Sequence, residues 1–349
     1  MNKSSATRSI RDRSAGSPAG FRESDARCLD IALINNMPSA ALEGAERQFG
    51  ARVEAAAGDV QVRLTFYTFP EIPRTEAARQ RISLAYSSMG ELWDAHYDGL
   101  IVTGAEPCAP RLEEEAYWET MTRLIDWARH NTYSAIWSCL AAHAAVLYLD
   151  GIFRHRLENK CSGVFECARL SDHELVSSVP ARFHMPHSRW NEIPQRMVAA
   201  SGYALLSGSE QAGVDAFAKN GSGRSLFVFF QGHPEYDAET LLLEYRRDIG
   251  RFLRGEYPNY PCMPQGYFDR DTVKKLAAFQ KSALRDRREE RLGEFPTTIL
   301  ASKVRNTWSP TAIGIYRNWL RHICEQKEEW MKTRARRSEP AVRGARQAA

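Results

Sequence analysis

Short apolar runs recur along the chain, each followed by a longer stretch whose apolar residues return with helical spacing. Leu29 to Ile34 is the first; it stops at Asn35-Asn36-Met37-Pro38 and yields to an Ala- and Glu-rich stretch through Phe49, which predicts strand, turn and helix. Val60 to Phe69 is a second β-rich run, and Ile82 to Leu92 has helical spacing. Tyr97 to Gly104 predicts a buried strand that closes on a Thr-Gly turn. Glu113 to His130 puts Trp118, Leu124 and Trp127 on one apolar side, ahead of a strand from Tyr133 to Ser138 and a helix from Leu140 to Leu149. Leu226 to Phe230 is one more apolar strand, followed after Gln231-Gly232-His233-Pro234-Glu235 by a helix from about Ala238 to Leu253. Such alternation predicts an α/β fold, a doubly wound and mostly parallel sheet flanked by helices on both faces. Past Gln265 the pattern becomes a highly charged helix, Asp271 to Arg291, and another from Thr307 to Met331 that carries Trp308, Tyr316, Trp319 and Leu320. Residues 265–330 therefore read as a helical extension packed on a main domain of residues 28–264.

With 349 residues, 43% hydrophobic and 26% charged, the composition is that of a globular chain, which sets aside fibrous and disordered classes. The net charge of +4 sits at the ends: residues 1–26 hold five Lys/Arg against three Asp/Glu, residues 331–349 hold six against one, and the body is left at about −3. Such a body lacks the clustered cations of a nucleic-acid interface, and residues 1–27 and 331–349 read as a disordered leader and a disordered basic tail. Cysteines at 28, 108, 139, 161, 167, 262 and 324 form no C-x-x-C pair, so neither a disulfide framework nor a zinc ribbon is indicated and a reducing, cytoplasmic setting fits. No apolar run reaches the ~18 residues that predict a membrane span.

In an open α/β sheet, active groups collect at the carboxyl ends of strands. Cys139 stands between the strand Ala135-Ile136-Trp137 and a helix that opens with Leu140-Ala141-Ala142, residues small enough for a tight elbow that lifts the sulfur off the sheet. The helix N-terminus there favours thiolate over thiol. His233 lies at another strand end with Glu235 two residues on, and in an extended segment both would face one side, the carboxylate fixing the imidazole tautomer. These three residues predict a Cys-His-Glu triad. His143, one turn after Cys139, reads as a polar neighbour of the elbow, since no nearby carboxylate would orient it. His184 and His187 flank Pro186 like a metal pair, but no third ligand stands at a convincing spacing, so no metal is predicted.

Cys139 with its flanks, Ser162-Gly163-Val164-Phe165-Glu166, Pro186-His187-Ser188-Arg189-Trp190 and Gly232-His233-Pro234-Glu235-Tyr236-Asp237 resemble the homoserine O-succinyltransferase family, which has a class I glutamine amidotransferase-like fold. Thr103-Gly104-Ala105, Tyr117-Trp118 and Asn318-Trp319-Leu320 extend the resemblance from about residue 29 to 325. It implies a ping-pong transfer in methionine or cysteine biosynthesis. Cys139 takes the acyl group of an acyl-CoA co-substrate, and His233, oriented by Glu235, activates the hydroxyl of L-homoserine or L-serine. It further implies an oxyanion hole of backbone N–H groups at Leu140 and Gly104, substrate contacts from Lys160, Ser188 and Arg247, no permanently bound cofactor, and a homodimer. After Met37-Pro38 the chain has Ser39-Ala40-Ala41 where the family carries a lysine, which resembles a branch that uses serine as well as homoserine. Cys108 aligns with the donor-selecting position. A glutamate there goes with acetyl-CoA and a glycine with succinyl-CoA, and a small neutral side chain favours succinyl because it does not repel a free carboxylate. A glutaminase is the rival within the fold, but Ala141 and His143 replace the glycine and glutamine those enzymes share after their cysteine.

Overall fold

A computed structural model describes residues 26–338 apart from 222 and 224, so most of the leader and the end of the tail lie outside the described residues. The first half alternates as the sequence predicts. It runs β1 (Cys28–Ile34), α1 (Leu42–Ala57), β2 (Gln61–Tyr67), α2 (Glu76–Ala85), α3 (Met89–Trp93), β3 (Gly99–Val102), α4 (Trp118–Asn131), β4 (Ser134–Ser138) and α5 (Leu140–Asp150). The stretch expected as one helix from Ile82 to Leu92 is broken, because Tyr86 is extended and Ser88 starts a new helix through a capping box with Glu91.

The second half is richer in strands than the periodicity indicates: β5 (His155–Arg169), β6 (Arg182–Glu192), α6 (Gln195–Ala200), β7 (Ala204–Ser209), β8 (Gly213–Asn220), β9 (Leu226–Phe230), α7 (Thr240–Leu253), α8 (Arg270–Arg285), α9 (Thr297–Ala301) and α10 (Ser309–Ser338). One nine-stranded sheet results, in the order β2-β1-β3-β4-β9-β8-β7-β5-β6. From β2 to β9 neighbours are parallel, and from β9 to β6 they are antiparallel. The order reverses around β1, β3 and β4, which leaves the crevice at their carboxyl ends that such sheets use for ligands.

Helices α4 and α5 cover one face, where Trp137, Leu124, Ala144 and Phe227 pack in one cluster, and α1 with α10 covers the other, where Ile101, Ile136, Tyr316 and Trp319 meet. The C-terminal segment is thus a layer of the main fold. Trp319 Nε1 donates to Ser134 Oγ at 2.9 Å, and Asn318 Nδ2 donates to the Leu175 carbonyl at 3.0 Å. Lys327 is buried with Nζ on Asp98 Oδ2 at 2.8 Å and on the Cys28 carbonyl at 2.7 Å, so the last helix is bonded to the start of the sheet. α10 runs on to Ser338, so residues 331–338 are helical where composition alone reads a tail. Contacts along the helix, an ion pair of Lys332 with Glu328 at 3.8 Å and Arg334 over the Trp330 ring, carry it past the core. Among the described residues no helix is long and apolar enough to cross a membrane.

Candidate active site

The elbow forms where β4 ends. Cys139 has φ 51° and ψ −112°, the sole non-glycine positive φ among the described residues, a strained turn that projects the side chain where strand becomes helix. Its N–H donates to the Phe230 carbonyl at 2.7 Å, which ties the elbow to the end of β9, the strand that delivers the histidine. Gly104 backs the turn: a Cβ placed on it would lie 3.6 Å from both Cys139 Cβ and Leu140 N. Thr103 Oγ1 takes the Asn36 N–H at 2.9 Å and donates to the Gly104 carbonyl at 2.8 Å, so the orientation of that peptide is fixed. The backbones of Leu140 and Gly104 therefore lie close together beside Cys139.

His233 and Glu235 meet as expected, but through a turn instead of an extended strand. Tyr236 N donates to the His233 carbonyl at 3.2 Å, and within that turn Nδ1 of His233 lies 2.8 Å from Glu235 Oε1. Both side chains are buried. Burial works against a charged ring, yet the Glu235 carboxylate and the sulfur of Cys139 outweigh it and hold His233 well above the ordinary imidazole range. Nε2 has no partner that meets hydrogen-bond geometry, and the sulfur of Cys139 acts on the ring electrostatically. The loop is fastened from several sides. His233 N donates to the Pro186 carbonyl at 2.8 Å, and the Tyr236 carbonyl accepts Trp308 Nε1 at 2.9 Å and Asn306 Nδ2 at 3.1 Å, both from the chain between α9 and α10.

His143 is buried against Gln231, with Nε2 3.3 Å from Oε1, and burial pushes its proton affinity down to about 3, so it stays neutral. Gln231 also takes the Ile193 N–H at 2.7 Å and donates to the Val214 carbonyl at 2.7 Å, which places His143 in the frame of the histidine loop. His184 is exposed while His187 points inward, as alternation along β6 demands, so the two do not converge. His187 instead has ligand-type neighbours remote in sequence: the ligating atoms of Cys167, His187 and Asp215 lie within 4.8 Å of one another. Strand pairing brings them together from β5, β6 and β8, a proximity that no local spacing records. Burial raises the Cys167 thiol, lowers His187 and lifts Asp215 to about 6. Gly232 packs on this group, and a Cβ there would overlap the Asp215 carboxylate and approach His187 Cε1 to 3.2 Å. Only glycine lets the loop lie that close.

Lys160, Ser188 and Arg247 come together on one side of the triad, around acidic residues of α7 that the sequence reading missed. Lys160 Nζ lies 2.7 Å from Asp248 Oδ2 and 3.7 Å from Glu244 Oε2. Arg247 Nη2 lies 2.9 Å from Asp248 Oδ1, with the guanidinium half exposed. Ser188 Oγ donates to Glu244, and Tyr236 Oη donates to Glu244 Oε1 at 2.8 Å. The Tyr236 ring stacks on His233 at 4.2 Å and 16°. Burial opposes charge on Glu244, but Lys160, Arg247 and Ser188 prevail and hold its carboxyl below the usual carboxylate range. A buried carboxylate, two cations and a hydroxyl thus cluster one ring away from His233. Cys108 is exposed on the loop after Gly104, and Glu115 Oε1 fixes that loop by accepting the N–H groups of Cys108 and Ala109, each at 2.9 Å.

Comparison with known proteins identifies the family. The family model described as homoserine O-succinyltransferase matches residues 17–330. A protein named homoserine O-succinyltransferase from Rhodopseudomonas palustris is 48% identical over 299 residues, 86% of this chain and 89% of its own length. One of the same name from Bradyrhizobium japonicum is 42% identical over 312 residues, 88% of this chain and 94% of its own. A solved glutamine amido transferase from Methylobacillus flagellatus is 14% identical with a TM-score of 0.46 over 85% of this chain and 95% of its own. The family match spans both the elbow and the segment that clamps the histidine loop, and on that extent the chain belongs to the homoserine O-succinyltransferase family.

Proposed function

We propose that the protein transfers a succinyl group from succinyl-CoA to the hydroxyl of L-homoserine or L-serine through a thioester on Cys139. The observation that carries this reading is the strained Cys139 elbow facing an imidazole that Glu235 holds from behind at 2.8 Å. In the first half-reaction the Cys139 thiolate adds to the thioester carbonyl, the bond from that carbon to the coenzyme A sulfur breaks, and the leaving thiolate takes the proton carried on His233. In the second, His233 accepts the proton of the amino acid hydroxyl as its oxygen attacks the acyl-enzyme, and Cys139 leaves as thiolate. The N–H groups of Leu140 and Gly104 receive the oxyanion in both steps, each donor being worth about 3 kcal/mol in sites of this type.

The acceptor side follows from the acidic helix. Glu244, kept ionised by its cationic neighbours, suits the ammonium of the amino acid. The half-exposed guanidinium of Arg247 offers a fork to its carboxylate. Lys160 and Ser188 hold Glu244 in place. A two-stage intact-mass experiment tests the reading. Succinyl-CoA should add one succinyl mass to the wild type and none to Cys139→Ala, and homoserine or serine should then clear it. An acetyl mass gained in preference to succinyl would reverse the donor, and ammonia released from glutamine would replace the reading with a glutaminase.

A further inference from the structure

On the other side of the elbow, two hydrogen-bonding groups stand buried with nothing to bond. Arg154, in the turn between α5 and β5, has its Nη1 buried without a hydrogen-bond partner, and so does the hydroxyl of Tyr117, whose ring is 3% exposed at the start of α4. The two interact electrostatically, and the charge on Arg154 also reaches Cys139 and His143. Buried donors are normally satisfied, since each one left unmade costs about 1–3 kcal/mol. Of the acidic neighbours that could have answered Arg154, Glu115 has Oε1 turned to the backbone N–H groups of Cys108 and Ala109, and Glu113 accepts from Arg111 Nη2 at 3.0 Å. Tyr117 in turn interacts electrostatically with Cys108, so the donor loop, the phenol and the guanidinium are neighbours.

This place is distinct from the acceptor side. Tyr117 and Leu140 pack in the cluster under α4 and α5, whereas Tyr236 and Leu242 belong to the cluster between α7 and the C-terminal segment. An acyl group on the Cys139 sulfur that carries a carboxylate three C–C bonds further on, each about 1.5 Å, projects its charge about 4 Å beyond the thioester carbon. That reach suits a cation whose field is felt at the sulfur. Building on the proposed thioester chemistry, we propose that Arg154 and Tyr117 form the subsite for the free carboxylate of the acyl donor, and that this subsite selects a dicarboxylic monoacyl group over acetyl. Burial pulls the Arg154 guanidinium below its ordinary value, while Tyr117, Glu115 and Cys139 act to hold its proton. An arriving carboxylate would accept the hydrogen bond that the buried Nη1 leaves unmade, and the phenol would donate a second.

The test is the ratio of acylation efficiencies, succinyl-CoA over acetyl-CoA, read by intact mass at Cys139 in the full-length protein for wild type, Arg154→Ala, Arg154→Lys and Tyr117→Phe. Loss of a charge-assisted contact should lower that ratio by about 10–100-fold in Arg154→Ala and by about 3–10-fold in Tyr117→Phe, with Arg154→Lys between wild type and Arg154→Ala. A ratio that stays at the wild-type value in Arg154→Ala and Tyr117→Phe, with both donors slowed alike, overturns the subsite. If Arg154→Ala fails to fold by thermal melting, Arg154→Lys and Tyr117→Phe decide the question by the same ratio. Failure of the wild type to accept either acyl group overturns the thioester reading beneath it, a result separate from an unchanged ratio.

Discussion

Replacing Glu235 by glutamine removes one negative charge from a buried site while keeping nearly the same shape. In the wild type, Glu235 Oε1 lies 2.8 Å from His233 Nδ1, and both groups are cut off from water. A hydrogen bond to a charged partner is worth about 1.5–3 kcal/mol. Since 1.4 kcal/mol is a factor of ten, acylation of Cys139 should slow by about 10–150-fold in Glu235→Gln. The pH profile supplies an independent sign. The carboxylate and the sulfur hold His233 well above the ordinary imidazole range against the effect of burial, so the ring stays protonated to higher pH than a free imidazole. With the charge gone, burial prevails, the ring loses its proton at lower pH, and the basic limb of the acylation profile moves toward acid. Stopped reactions with succinyl-CoA, followed by intact mass from pH 6 to 10, report the rate and the limb together. A variant within a factor of two of wild type with an unmoved limb would refute the coupling of Glu235 to the reacting ring.

Two further outcomes bear on stability. Lys327→Met should destabilise the fold by about 3–5 kcal/mol in urea titration, because it strands Asp98, buried at 3% exposure, without its cation. The double variant Lys327→Met/Asp98→Asn should recover most of that loss, and a double variant as weak as the single would count against the ion pair as the cause. Asp215 is raised by burial from 3.8 to about 6, so the folded state holds its proton more tightly than the unfolded chain does. That contribution is complete below about pH 4 and is lost as pH rises through about 6, a change of roughly 3 kcal/mol. Asp215→Asn is neutral throughout, so its stability relative to wild type should rise across this window, and a flat difference would refute the assignment.

The parallel strands were legible because they are buried on both faces. β3, β4 and β9 have no exposed residue, so their sequences are continuous apolar runs whose ends mark the site. Cys139 and His233 sit at two such ends and could be read from one dimension. β5 could not, since its first half is largely exposed and carries His155, Arg156, Glu158, Asn159 and Lys160, which look like a loop; β6 pairs with His155 and Arg156 and again from Cys161, across an irregularity that holds the residues between. Glu244 was hidden in a different way. It follows three leucines in α7 and precedes Tyr245, Arg246 and Arg247, so a charge there resembles the solvent face of an amphipathic helix. Its partners explain it, and they are remote: Ser188 is 56 residues away, and Lys160 bonds Asp248 across 88. Residue type and local spacing locate a nucleophile and its base, but a carboxylate kept charged by distant cations is a property of the folded chain.

Tyr236 joins these two kinds of information. Its place in Gly232-His233-Pro234-Glu235-Tyr236-Asp237 is a local motif, while its hydroxyl reaches Glu244 at 2.8 Å and its ring lies on His233 at 4.2 Å. Burial raises that phenol well above its ordinary value, so it remains a donor and keeps the Glu244 carboxylate facing the site. In the proposed reaction, an ammonium held by Glu244 would be positioned through this ring relative to the imidazole that receives the hydroxyl proton. Trp308 and Asn306, which hold the Tyr236 carbonyl, extend this frame into the C-terminal segment. In the proposed reaction the segment between α9 and α10 bears on catalysis through position, because Asn306 and Trp308 hold the backbone of the residue whose ring lies on the imidazole.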